Sequence, residues 1–248
     1  MNHVLLITGG SRGIGAATAR LAARRGWAVA VNYASQAAAA DEVVRAITAE
    51  GGRAIAVQGD VGDEAQVLAM FSQVDAELGP LTGLVNNAGV VDMPVRVDEI
   101  TVARLERMLR INVIGSFLCA REAVKRMSTK HGGAGGVIVN LSSAAAKLGS
   151  PGQYVDYAAS KGAIDSFTVG LAKEVAEEGI RVNAVRPGLI DTDIHASGGL
   201  PDRAAQLAPT VPMKRTGSAD EVANAIVWLL SDEASYATAS FIDITGGR

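Results

Sequence analysis

The run Val4-Leu5-Leu6-Ile7-Thr8-Gly9-Gly10-Ser11-Arg12-Gly13-Ile14-Gly15 decides the fold. Apolar residues leading to Thr8 have the length and composition of a buried strand, and a glycine-rich turn follows directly. Ala17, Leu21 and Ala22 then continue an apolar stripe at helical spacing, so the turn joins a strand to a helix. A tight turn there needs glycine. The unpaired amides and the dipole of a helix start favour negative charge, and a pyrophosphate that approaches the backbone uses both. Glycine turns also arise for conformational reasons alone, but a strand before and a helix after make nucleotide binding the stronger reading.

Working outward, short β-branched runs alternate with longer helix-period segments, the pattern of βαβ units around a parallel sheet. The strands are expected at Val4 to Thr8, Ala28 to Asn32, Ala54 to Gln58, Gly83 to Asn86, Val137 to Leu141, Arg181 to Arg186 and Phe241 to Ile244. Between the third and fourth, Val67, Met70, Phe71, Val74 and Leu78 recur at helical spacing, with Asp63 near the start and Gly79-Pro80 at the end. Near the C-terminus, Val222, Ile226, Leu229 and Leu230 repeat the pattern after Ser218, which can cap a helix with Glu221 three residues on. The expected fold is a single doubly wound α/β Rossmann-type domain over residues 1–248, with a seven-stranded, mainly parallel sheet. Two glycine-rich stretches interrupt the rhythm. His131 to Gly136 precedes a strand and reads as a plain connection, whereas Leu189 to Gly217 leaves the ligand-binding edge of the sheet and is expected to be a substrate lid.

Composition narrows the function. With 248 residues, 48% of them hydrophobic, the chain can bury a substantial core. The formal net charge is -3 and the basic residues are spread along the sequence, which argues against nucleic acid as a partner. No apolar run approaches membrane-spanning length, and Val4 to Ile7 is too short for a signal-peptide core. A lone cysteine, Cys119, cannot form an internal disulfide, so a cytoplasmic location is expected. His3, His131 and His195 lack metal-ligand spacing, and no metal site is expected; His195, in the lid, is a candidate for either substrate contact or plain solvation.

Tyr157 and Lys161 lie four apart, on one helix face, where an ammonium can stabilise a phenolate. A phenol with a pKa of about 10 must drop by several units to act as a base near neutrality. By itself such a pair is an ordinary surface feature, but here it follows a strand ending Leu141-Ser142-Ser143, which brings a hydroxyl to the same sheet edge. Ser142 and Ser143 point to opposite sides, so only one reaches the substrate. Tyr154, seven residues before Lys161, is expected to shape the pocket, and Asp156 to be a solvent or pocket-rim charge. Asn112 sits in a helix-like stretch, Leu105 to Ala123, where a buried amide or a local bend would account for it.

The spacing Gly9-x-x-x-Gly13-x-Gly15, together with Asp60-Val61, Asn86-Asn87-Ala88-Gly89, Asn112, Ser143, Tyr157, Lys161 and Pro187-Gly188 with Thr192, resembles the short-chain dehydrogenase/reductase family. The resemblance covers essentially the whole chain. Within the family it is similar to the classical branch that includes 3-oxoacyl-carrier-protein reductases and glucose 1-dehydrogenases. It implies a catalytic set of Asn112, Ser143, Tyr157 and Lys161, in which Ser143 bonds the substrate oxygen and Asn112 supports a water-linked proton relay behind Lys161. The interval from Ser143 to Tyr157 is one residue longer than in many relatives, which keeps Ser142 in play. It also implies cofactor contacts from Gly9, Ser11, Arg12, Gly13, Ile14 and Gly15, with Asp60 and Val61 bordering the adenine. Asn86 to Gly89 would support the central strand and ribose, with Asn87, Ala88 and Gly89 in the cofactor site; Ile190 and Thr192 would touch the nicotinamide carboxamide, and Pro187, Gly188, Tyr157 and Lys161 complete the cofactor contacts.

A carboxylate at the end of the second strand would bond a free ribose 2′-hydroxyl and repel a 2′-phosphate. Asn32-Tyr33-Ala34-Ser35 supplies none, and Arg12 suits a phosphate, so NADP(H) is favoured; Ala34 adds no second cation, which leaves NAD(H) possible. The expected activity is interconversion of a carbonyl and a secondary alcohol on a small molecule. The substrate is either a 3-oxoacyl thioester or a sugar, and a non-catalytic dinucleotide sensor is the competing class. Arg203, Lys214 and Arg215 are too few and scattered to identify an acyl-carrier surface. Apolar surface on the helices Val113 to Lys130 and Tyr154 to Glu178, with the habit of relatives, leads to an expected homotetramer.

Overall fold

The opening apolar run forms strand β1 (Val4–Ile7), and helix α1 (Gly13–Arg24) begins inside the glycine turn. The structure is a computed structural model that describes residues 3–192 and 206–248. After α1 the chain alternates β2 (Ala28–Tyr33), α2 (Ala37–Ala49), β3 (Ala54–Gln58), α3 (Glu64–Glu77) and β4 (Gly83–Asn86). Helix α4 (Val102–Leu109), a π-helical turn (Arg110–Ile114) and α5 (Gly115–Met127) lead to β5 (Gly136–Leu141). Then come α6 (Ala145–Leu148), α7 (Val155–Val175), β6 (Ile180–Pro187), α8 (Ala219–Leu230) and β7 (Phe241–Ile244).

The seven strands form one sheet in the order β3-β2-β1-β4-β5-β6-β7, and every neighbouring pair is parallel. Alternation along each strand assigns its side chains to two cores. Leu5 and Ile7 of β1 pack with α1, α2 and α8, while Val4 and Leu6 pack with α3, α5 and α7. On α3, Val67, Met70, Phe71 and Val74 are buried in the second core, as their spacing predicts, and each such side chain stabilises the fold by roughly 1.5–3 kcal/mol. Asp63 caps α3 by accepting from the Gln66 amide at 3.1 Å, and Ser218 with Glu221 closes a reciprocal capping box on α8.

The chain winds one way from β1 through β2 to β3 and the other way from β4 to β7, so a crevice opens where β1 and β4 lie side by side. That crevice positions the site. The expected helix from Leu105 to Ala123 is not continuous, because the π-helical turn interrupts it around Asn112. The two stems of the 189–217 segment are clasped: Asp191 donates to the Gly217 carbonyl and Gly217 to the Leu189 carbonyl, both at 2.9 Å. His195 and Arg203 lie outside the described residues. Of the other basic residues weighed for an acyl carrier, Arg215 is paired with Glu221 at 2.6 Å, and Lys214 bonds the Pro209 carbonyl. Among the described residues no helix is long and apolar enough to cross a membrane, and no cluster of three His, Cys, Asp or Glu side chains is formed.

Candidate active site

The glycine turn is held from below by neighbouring strand ends. Thr8 Oγ1 accepts from the Asn87 and Ala88 amides at 3.0 Å, and Asn87 Nδ2 donates to the Thr8 and Gly9 carbonyls at 2.8 and 2.9 Å. From the other side, Asn32 Oδ1 accepts from the Gly9 amide at 3.0 Å while its Nδ2 donates to the Gly59 carbonyl at 3.0 Å. Asn32 is 2% exposed, and its side chain braces the turn from the cleft edge it shares with Tyr33, Ala34 and Ser35. Gly13 has φ +53°, and a β-carbon on Gly15 would meet the Gly9 carbonyl oxygen at 2.4 Å. Arg12, at the start of α1, makes no capping bond, so the first-turn amides are left for an anion.

Above the turn lies a cleft of about 390 Å³, bounded by Gly9, Ser11, Arg12, Gly13, Ile14, the Asn32–Ser35 edge, Asp60, Val61 and Asn87–Gly89. These residues fit a dinucleotide, since the glycines leave room for a pyrophosphate at unpaired amides. Asp60 is the carboxylate on the cleft wall, and both its oxygens are engaged: Oδ1 by the Gly62 amide at 2.9 Å and Oδ2 by Arg110 at 3.0 Å. Arg12 is exposed and has no ion-pair partner among the described residues. Gln36, Val90, Val91, Arg107 and Ile111 also line the cleft and escape sequence reasoning because they carry no motif; Gln36 extends the edge after β2, and the others reach the cleft through the loop after β4, α4 and the π-helical turn. Arg107 is held by Asp92 at 3.1 Å.

A second cavity of about 190 Å³ adjoins the first and shares Ile14, Asn87, Gly89, Val91 and Thr192 with it. Ser143, Tyr157 and Lys161 line it, as do Tyr154, Leu148, Ser150, Pro187, Gly188, Leu189 and Ile190. Ser143 and Tyr157 stand on the same cavity wall, and the Ser143 hydroxyl works against the burial that pushes the phenol pKa above its ordinary value. Lys161, 5% exposed, donates from Nζ to the Leu141 carbonyl at 2.7 Å and lies 5.7 Å from the centroid of the Tyr157 ring. Burial holds its pKa down to about 8, with Asp165 working in the opposite direction. The alternation at the end of β5 separates the serines: Ser142 Oγ is tied to Asp165 at 2.6 Å, while Ser143 Oγ accepts from the Ala145 amide at 3.1 Å on the cavity wall that Tyr157 shares.

Asn112 is both a buried amide and part of a local bend. In the π-helical turn it is 1% exposed, accepts from the Val90 amide at 2.8 Å and donates to the Val90 carbonyl at 2.9 Å. A β-carbon on Gly89 would lie 3.4 Å from Asn112 Oδ1 and 3.6 Å from Lys161 Nζ, so both groups front the same small space. Asp156 corrects the expectation of a solvent or rim charge. It is 6% exposed and holds Arg104 in a two-pronged ion pair, 2.7 Å to Nε and 3.1 Å to Nη2. The reason is tertiary, since α4 packs across the start of α7 and brings Arg104 to it.

A family model described as enoyl-(acyl carrier protein) reductase matches residues 9–248. The chain is 58% identical to the uncharacterized oxidoreductase YgfF of Escherichia coli, with 99% of each chain covered. It is 37% identical to a 3-oxoacyl-[acyl-carrier-protein] reductase of Staphylococcus aureus, covering 100% of this chain and 98% of that one. Among solved structures, a short-chain dehydrogenase/reductase mutant from Serratia marcescens superposes with a TM-score of 0.90 at 35% identity, covering 99% and 97% of the two chains. A blue fluorescent protein from a metagenomic library, solved in complex with NADPH, gives the same TM-score at 34% identity with the same coverage.

Proposed function

The chain belongs to the short-chain dehydrogenase/reductase family, and on that premise we propose that it interconverts a carbonyl and a secondary alcohol with NADP(H), Tyr157 exchanging the proton with the substrate oxygen. The observation that carries the proposal is the Ser143–Tyr157 hydroxyl pair on the wall of the second cavity, with a buried amine behind it. A bound nicotinamide supplies or accepts the hydride. Tyr157 gives its proton to the carbonyl oxygen in reduction and takes it back in oxidation. Ser143 shares a hydrogen bond with the same oxygen and steadies the developing alkoxide.

Burial raises the phenol pKa, so a phenolate at Tyr157 needs positive charge close by. Lys161 gives one of its three donors to the Leu141 carbonyl and keeps two for a bound cofactor and a proton path. Its positive charge stabilises the phenolate left after proton transfer. Asn112 is suited to hold a water in the space beside Gly89 and so to return a proton toward Lys161. A protein that only sensed a dinucleotide would gain nothing from a buried amine behind a phenol.

NADP(H) is favoured because the Asn32–Ser35 edge offers no carboxylate to a 2′-phosphate and Arg12 is free to pair with one. The absence of a second cation at Ala34 keeps NAD(H) usable. For the substrate, Val91, Leu148, Leu189 and Tyr154 form much of the second cavity, and Ser143, Ser150 and Tyr157 are among its hydroxyls, with Asn87, Lys161 and Arg248 also on its wall. These walls suit an apolar carbonyl compound, the 3-oxoacyl thioester class included, better than a sugar that needs many hydrogen bonds. The expected lid at 189–217 has its stems clasped beside this cavity, which supports that reading, and its residues 193–205 lie outside the described ones. Half-exposed Phe117 stacks on Phe167 at 3.8 Å between centroids, with Ile114 exposed nearby in sequence, an apolar face that supports homotetramer formation. A buried single cysteine supports a cytoplasmic setting.

The test is Tyr157→Phe, assayed with both nicotinamides against a panel of ketones, 3-oxoacyl thioesters and sugars. Turnover should be abolished while cofactor binding, read by fluorescence titration, is retained. Full activity in the variant would reject the role of Tyr157.

A further inference from the structure

Lys161 presents a physical problem, because a buried ammonium needs a compensating charge. Asp165 lies one helical turn later on α7, on the same face. Its carboxylate is itself fully engaged: Oδ1 accepts from Ser142 Oγ at 2.6 Å, and Oδ2 receives Arg186 through Nε and Nη2, both at 3.0 Å. Arg186 and Asp165 are largely buried, with side chains 13% and 19% exposed.

The row continues away from the site. Arg186 on β6 pairs in register with Asp243 on β7, and their side chains approach to 3.5 Å, while the guanidinium lies 3.8 Å from the centroid of the Phe241 ring. Lys147 on α6, the neighbour of the cavity residue Leu148, closes the row on Asp243. The signs alternate through Lys161, Asp165, Arg186, Asp243 and Lys147, across two helices and two strands.

We infer that Asp165 is a positioning residue for the catalytic end of α7, keeping the buried Lys161 amine charged and being itself held at that task by Arg186 and Ser142. The inference rests on the reading of Tyr157 and Lys161 as the proton machinery. Among the described residues, the titratable and charged groups about the amine are Tyr157 and Asp165 on α7, Arg186 on β6 behind Asp165, and Arg248, which lines the same cavity from the C-terminus. The other groups beside it are neutral: the Leu141 carbonyl from β5, Gly89 after β4 and the Asn112 amide from the π-helical turn.

The charge assignment makes a prediction of sign that a plain structural brace does not. In Asp165→Asn the amine loses its counter-charge, and its titration should move down by about one pH unit or more. In Arg186→Gln the carboxylate is no longer offset, and the titration should move up. Carbon-13 NMR of lysine-labelled, cofactor-free protein reads Lys161 directly, with the signal assigned through Lys161→Arg. The alkaline limb of the kcat/KM pH profile should follow the same two directions, and Asp165→Glu should restore it. Should Asp165→Asn not fold, Arg186→Gln carries the test with the opposite sign. A Lys161 titration that ignores both substitutions, in folded protein, overturns the inference. A protein whose Lys161 titrates as stated but which turns over nothing supports the inference about Asp165 and rejects the proposed reaction.

Discussion

Replacing Arg104 by Met should destabilise the protein far more than an ordinary surface change, because it strands a buried carboxylate. The Arg104–Asp156 pair is two-pronged, at 2.7 and 3.1 Å, and the two side chains are 10% and 1% exposed. Breaking such a pair from one side costs about 3–5 kcal/mol. Asp156 keeps backbone amides of the first turn of α7 and the helix dipole, which puts the loss near the lower end, about 3 kcal/mol. For a chain of this length that corresponds to a fall in Tm of roughly 6–12 °C. The assay is urea unfolding followed by circular dichroism at a fixed protein concentration. Burial raises the Asp156 pKa, but the bonds from Arg104 and the Tyr157 amide outweigh it, and the folded value is lowered. A lowered folded pKa means the contribution is fully present above the unfolded value of about 4 and is lost as pH falls through the folded value. The gap between parent and variant should therefore close in acid. Adding Asp156→Asn to Arg104→Met should recover part of the loss, since no charge is then left unpaired. A loss under about 1 kcal/mol at pH 7, or a gap that is the same at pH 3, would refute the reasoning.

Arg12→Ala should raise the KM for NADPH by about 10- to 100-fold, the worth of a charged hydrogen bond, and leave that for NADH nearly unchanged; equal effects on both would remove the 2′-phosphate assignment. Gly15→Ala should weaken both cofactors together, because its β-carbon would press on the Gly9 carbonyl from 2.4 Å, and isothermal titration reads that loss directly. Ser143→Ala should lower kcat by about 10²- to 10³-fold and Ser142→Ala by much less, so the reverse order in steady-state kinetics would exchange their roles.

The strands, the doubly wound order and the glycine turn were legible because each depends on local pattern: alternation, helical spacing and the need for glycine where backbone meets phosphate. Tyr157 and Lys161 were legible for the same reason, being one turn apart on a single helix. Asp156 was misread, since nothing near it in sequence announces Arg104, which is 52 residues away. The position of Asn32 at the end of β2 was legible, but its amide bracing Gly9 to Gly59 was not, because Gly59 is brought to it only by the sheet.

The chain's own order of residues thus determined which elements form, where the nucleotide cleft opens and which phenol and amine share a face, because these follow from periodicities of a few residues. Packing alone decided which serine is tied to Asp165, how Asn112 is turned by a π-helical bend toward Gly89, and which charges become partners. Those outcomes depend on contacts between strands and helices far apart in sequence, where burial makes an unpaired charge or amide costly and so selects the partner that tertiary geometry brings within reach.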